Sequence, residues 1–175
     1  MNKTKNNRSL SPQASANSVD PFEVLHRLLK LGNRLNAPFS EHLEKRFRVT
    51  MNEFRVIMLI GRLGSSASHE LAEISGVSTM SVSRAVTSLE RKGWITCSID
   101  ETNRRRKILR LTSEGRRLYK QMLPTADKVA QYLFDSLRED EFLAFDHYVM
   151  RLIKSLEASD EKGRSIFLEK TRPEA

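Results

Sequence analysis

Residues 68–87 read SHELAEISGVSTMSVSRAVT. Two short helical stretches meet here at a glycine. The first, Ser68 to Ser75, stops at Gly76, where glycine permits the left-handed conformation of a helix end. The second starts behind Ser78 and runs to about Lys92, closed by Gly93. Ala72 stands where the first helix must admit close approach by the second, and Gly76 stands at the turn. Val82 and Ala85 fall on the inward face of the second helix, with Leu71 and Val77 completing a small core. This is the frame of a helix-turn-helix; an ordinary helical hairpin that needs a small residue and a glycine is the competing reading.

The outward face of the second helix presents Ser78, Thr79, Ser81, Ser83, Arg84 and Thr87. Short hydroxyl side chains donate to phosphates or base edges without blocking entry to a major groove, and an arginine reaches guanine or phosphate. A merely solvated face more often carries Glu and Lys. None of the residues from Ser78 to Leu89 is a carboxylate, as a surface approaching phosphates requires.

Working outward, residues 94–99 (WITCSI) and 107–111 (KILRL) read as two strands of a hairpin around a polar turn at 100–105. Arg104, Arg105, Arg106 and Lys107 lie at its tip and on its return strand. Alone, such a run reads as solvated charge; behind a helix-turn-helix it is placed to reach the backbone or minor groove beside the second helix. Upstream, residues 52–63 form a helix. Before that, Asp20-Pro21-Phe22-Glu23 is a helix start for an apolar stripe from Phe22 to Phe47, which Pro38 should bend or break. Downstream, a helix opens at Thr112 and continues past Pro124. A last one spans about Glu139 to Ala158, with Phe142, Phe145, Val149, Leu152 and Leu156 at helical spacing.

The expected class is mainly α with a small β-hairpin wing. The expected organisation is a disordered basic tail at 1–19, dimerisation helices at 20–48 and 113–158, a winged helix-turn-helix at 49–112, and a fraying tail at 159–175. The central unit is too small to bury the stripes of the long flanking helices, and a homodimer built on those helices buries them at once.

Composition narrows the function classes. Among 175 residues, 30 Lys plus Arg stand against 22 Asp plus Glu, a formal charge of +8, which favours polyanionic partners. One cysteine cannot form an internal disulfide or a cysteine-rich zinc site. No apolar run approaches the ~18 residues of a membrane span, and residues 1–18 lack the apolar middle of a signal peptide, so a cytoplasmic protein is expected. His26, His42, His69 and His147 are scattered, with Glu41-His42 the one close pair of possible ligands. No nucleophile with a base, paired carboxylates or ligand set stands out, so neither an enzyme nor a cofactor or metal is expected. Cys97, in the first strand, reads as a small apolar packing residue rather than a redox sensor.

The segment from about Val49 to Pro124 resembles the MarR family of bacterial transcription regulators. The resemblance rests on three stretches. They are Leu71-Ala72-Glu73 with Gly76; Met80 to Val86 through Leu89-Glu90 to Gly93; and Asp100 to Arg105 followed by Leu109-Arg110-Leu111-Thr112 and Gly115. It implies a homodimer that binds a pseudo-palindromic operator in double-stranded DNA through a winged helix in each subunit, with repression relieved by a small ligand. One departure stands out: the family pattern usually has an aspartate two residues before the wing-tip arginine, Arg105 here, and this chain has Asn103.

The resemblance further implies an effector crevice lined by the first, second and fifth helices, with aromatic anions as frequent ligands. Arg27 and Arg34 on the first helix are the cations that would pair with a carboxylate; a solvated arginine is the competing reading of each. Two rival functions use the same surface. One is a broad-specificity architectural or anti-silencing DNA-binding protein without effector, the other a winged helix serving as a protein-interaction module.

Overall fold

The computed structural model describes residues 19–99 and 107–174, in two units, Met1–Met51 and Asn52–Ala175. The expected disordered tail falls on residues 1–18, outside the described residues save for Val19, and so do Asn103 and Arg104 to Arg106.

In the first unit, the Asp20 carboxylate accepts the Phe22 amide at 3.0 Å and Pro21 occupies the first turn, so α1 (Pro21–Leu35) starts where the sequence signals it. Pro38 does more than bend the stripe. A proline ring crowds the carbonyl four residues earlier, and here the Arg34 carbonyl instead accepts the Asn36 amide, which ends α1. The chain resumes as α2 (Ala37–Phe39), a π-helical turn (Ser40–Glu44) and α3 (Lys45–Phe47), stopped by Arg48 in the left-handed conformation at φ 52°. On the π-turn, the Lys45 ammonium donates to both Glu41 oxygens at 2.6 and 2.8 Å and holds that carboxyl below the usual carboxylate range.

In the second unit, α4 (Met51–Leu63) buries Phe54, Val56, Ile57 and Ile60. α5 (Ser68–Ser75) and α6 (Thr79–Arg91) follow, then an antiparallel hairpin of β1 (Ile95–Ile99) and β2 (Lys107–Leu111), in register from Ile95 opposite Leu111 to Ile99 opposite Lys107. A bridge from Ser66 to Leu109, with amide–carbonyl bonds of 2.8 and 3.2 Å, ties the loop before α5 to the returning strand. Ile57, Ile60, Leu71, Val82, Leu89, Leu109 and Met122 are fully buried and form the centre of the core.

α7 (Ser113–Phe134) passes through Pro124 without a break. Two glycines let neighbouring elements close on it. A side chain at Gly61 would meet the Tyr119 ring, and one at Gly115 would collide with the Trp94 carbonyl oxygen. α8 (Glu139–Glu157) has its amide end capped by Glu141, which accepts the Arg138 N–H at 2.9 Å, and Phe134 at the end of α7 lies against Phe142 and Phe145.

The tail expected to fray after residue 158 carries local order. Asp160 accepts the Lys162 and Arg164 amides at 2.9 Å, Gly163 takes φ +74°, and Ser165 caps α9 (Ile166–Lys170). Hydrogen bonds from Arg164 hold the Asp160 carboxyl below the usual range. An aspartate closing its own turn supplies what the low apolar content of this stretch does not.

Candidate nucleic-acid interface

The α5–α6 pair is built by local chemistry that turns one face of α6 outward. At the end of α5 the Ser75 hydroxyl donates to the Leu71 carbonyl at 2.6 Å and accepts the Val77 amide at 3.3 Å, and Gly76 takes φ +64°. The chain then enters α6 at Ser78, whose side-chain oxygen accepts the Ser81 amide at 3.3 Å while its hydroxyl donates to Ser81 Oγ at 3.0 Å. Val82, Ala85, Val86 and Leu89 are buried against the core, as are Leu71 and Ala72 of α5; Val77, expected in that small core, is half-buried.

The far end of α6 is fastened twice. Gly93, at φ +70°, reverses the chain, with its amide on the Glu90 carbonyl and the Trp94 amide on the Leu89 carbonyl. The Thr112 hydroxyl donates to the Gly93 carbonyl at 2.8 Å, and Thr112 Oγ1 accepts the Gly115 amide at 3.0 Å as the cap of α7. Beside it, Lys92 Nζ donates to both oxygens of the buried Glu53 and lies 5.0 Å from the centre of the Trp94 ring. α6 is thereby held at a set angle to α4, the hairpin and α7.

Six helix residues were expected on the outward face, and the structure separates their roles. Thr79, Ser83 and Arg84 are exposed and make no side-chain hydrogen bond or ion pair among the described residues. Thr87 is exposed, but its hydroxyl donates to the Ser83 carbonyl at 3.0 Å. Ser78 is exposed and engaged in the cap; Ser81 is half-buried and bonded to Ser78 rather than turned fully to solvent, because its position in the first turn faces back along the helix. Lys107 is exposed at the start of β2, opposite Ile99, and Arg110 on the same strand donates to Ser98 Oγ at 2.9 Å.

Two residues absent from the expected set share the outward face. Met80 is 64% exposed, and Met80, Ser83, Arg84, Thr87 and Arg91 follow one another at helical spacing, all exposed. Helical periodicity was the signal that would have found both.

Arg27 and Arg34 lie exposed on α1, in the other unit. Arg27 is ion-paired with Glu23 at 2.7 Å, whereas Arg34 makes no ion pair among the described residues. Among the described residues there is no group of three or more His, Cys, Asp or Glu side chains that could hold a metal ion, and no helix is long and apolar enough to cross a membrane.

Comparison with known proteins accords with this geometry. The MarR family model matches residues 49–107, the span from the turn before α4 to the start of β2. The chain is 30% identical over 115 residues to an uncharacterised HTH-type transcriptional regulator of Bacillus cereus, covering 66% of this chain and 76% of that one. Solved structures that share the fold include the following two. One is Bordetella bronchiseptica BpsR, whose DNA binding is regulated by 6-hydroxynicotinic acid, with TM-score 0.65, 22% identity, and 74% of this chain and 98% of that one covered. The other is Streptococcus pneumoniae FabT in complex with DNA, with TM-score 0.65, 23% identity, and 79% and 98% covered.

Proposed function

This chain belongs to the MarR family of DNA-binding transcription regulators, and from that membership we propose that it is a homodimeric, operator-specific repressor released by a small aromatic carboxylate. The observation that carries the proposal is the outward face of α6. It holds Thr79, Ser83 and Arg84 with side chains available to a ligand, has no carboxylate from Ser78 to Leu89, and sits on a helix fastened at both ends. A positioned, acid-free face suits base edges and phosphates together. Arg104, Arg105, Arg106 and Lys107 supply the wing's share, along the backbone or minor groove.

The dimer is supported by what the helices leave uncovered. α1 buries none of its residues and exposes Phe22, Leu25, Leu28 and Leu29, and α8 likewise leaves Leu143, Tyr148, Leu152 and Leu156 exposed. Monomers rarely expose faces of this kind, and a second copy of the chain offers an apolar face to match each. Two recognition helices then enter successive major grooves about 34–36 Å apart on a pseudo-palindromic site.

For the effector, the acid that regulates BpsR suggests the chemical class, and Arg34 is the better of the two candidate cations because Glu23 already holds Arg27. A ligand that favours one separation of the two heads shifts the dimer away from the DNA-competent shape. The test is fluorescence anisotropy of the protein–operator complex with added 6-hydroxynicotinate and related aromatic acids. Dissociation in the wild type and none in Arg34→Ala supports the release step. A complex indifferent to every aromatic acid contradicts it, and a full response in Arg34→Ala rejects that residue.

A further inference from the structure

Resting on the operator-binding reading of α6, we infer that Met80 reads thymine in the operator through its 5-methyl group. Three observations converge on it. The hydrogen-bonding capacity of the face is smaller than its hydroxyl count implies: Ser78 and Ser81 bond to each other, and Thr87 bonds to the Ser83 carbonyl. Hydroxyl donors are left at Thr79, Ser83 and the half-buried Ser81, beside the Arg84 guanidinium. Met80 stands in the first turn of the helix, the part that reaches deepest into a major groove, and it is 64% exposed with Ser83 and Arg84 on the next turn of the same face. Its environment gives it no core to fill, since the buried side of α6 is completed by Val82, Ala85, Val86 and Leu89.

Chemistry then selects the ligand. In the major groove the one apolar group that distinguishes base pairs is the thymine methyl, and apolar side chains recognise it by contact. A methionine is long, unbranched and polarisable, so it follows a methyl edge without a fixed hydrogen-bond geometry. With Arg84 one turn on, the face pairs an apolar reader with a cationic one, which suits a half-site carrying a thymine near a guanine or phosphate.

Replacing thymine by uracil removes the methyl and leaves pairing intact. In an operator defined by footprinting, each protected thymine is replaced in turn by deoxyuridine, and the affinities of the wild type, Met80→Ala, Met80→Leu and Arg84→Ala are measured. At one protected position the wild type should lose about fourfold, the worth of one buried methyl. Met80→Ala should bind thymine and uracil alike there, and Met80→Leu should keep the discrimination. Arg84→Ala should bind more weakly to both with the ratio unchanged. A wild type indifferent to uracil at every position, or a Met80→Ala protein that discriminates as the wild type does, overturns the inference while operator preference stands. A wild type with no preference for the operator over shuffled DNA overturns it together with the reading on which it rests.

Discussion

Lys92 Nζ donates to both carboxylate oxygens of Glu53, at 2.8 and 2.9 Å, across 39 residues of chain. Glu53 is 2% exposed, in the first turn of α4, and Lys92 is the residue on which α6 ends. The pair therefore fixes the back end of the helix whose front is proposed to read DNA.

Glu53 is buried and Lys92 reaches it from the surface, so removing the cation alone should cost more than replacing both residues together. Lys92→Met withdraws one partner of a buried carboxylate and should cost about 1–3 kcal/mol, whereas Glu53→Leu with Lys92→Met should recover most of that loss. Urea unfolding of the two single variants and the double variant checks the non-additivity; equal or additive losses would contradict it.

Gly115→Ala should destabilise, although alanine is normally the better helix former. The added carbon meets the Trp94 carbonyl, which is backbone and cannot swing aside. Overpacking of this kind costs about 1–3 kcal/mol, or roughly 2–4 °C of Tm per kcal/mol in a chain of this size. Thermal unfolding reads the sign directly.

Thr112→Ala removes a hydroxyl that caps α7 and holds the Gly93 carbonyl, and should cost about 1–2 kcal/mol. Thr112→Ser should restore most of it, since the oxygen does both jobs. Calorimetry of the pair separates lost hydrogen bonding from lost packing.

On the α6 face the substitutions should rank by what each side chain already bonds. Arg84→Ala should weaken operator binding most and reduce the salt slope by about one if the guanidinium lies on a phosphate. Thr87→Val should change affinity little, its hydroxyl being spent on the Ser83 carbonyl. Ser81→Ala should act mainly through helix stability. Titrations at several salt concentrations give affinity and slope together.

Phe145→Glu and Leu152→Glu place charges on the exposed apolar side of α8. Each should yield monomers by sedimentation and lose operator affinity as a consequence of losing the second head. Wild-type sedimentation with either variant would place the dimer contact elsewhere.

Much of this architecture is legible in the sequence because it is local. Asp20, Ser78 and Thr112 announce helix starts by carrying the capping oxygen, and Gly76 and Gly93 announce stops by taking positive φ. What was not legible has physical reasons of two kinds. The π-turn at Ser40–Glu44 adds a residue to a helix without any change of composition, so a stripe broken by Pro38 looks like a simple bend. The Glu53–Lys92 pair joins positions 39 residues apart, and no periodicity marks such a partner. On the outward face of α6, polarity picks out Thr79, Ser83 and Arg84, helical spacing adds Met80 and Arg91, and nothing in the sequence marks the hydrogen bonds that already engage Ser81 and Thr87.

The most direct test of the central claim is the affinity of the purified protein for labelled DNA from upstream of its own gene against shuffled DNA of equal length, at two salt concentrations. An operator-specific regulator should prefer the true site by ~10³ or more while both affinities fall with salt. Equal affinities would contradict it: tight equal binding would fit an architectural protein, and weak equal binding a winged helix that meets proteins rather than DNA.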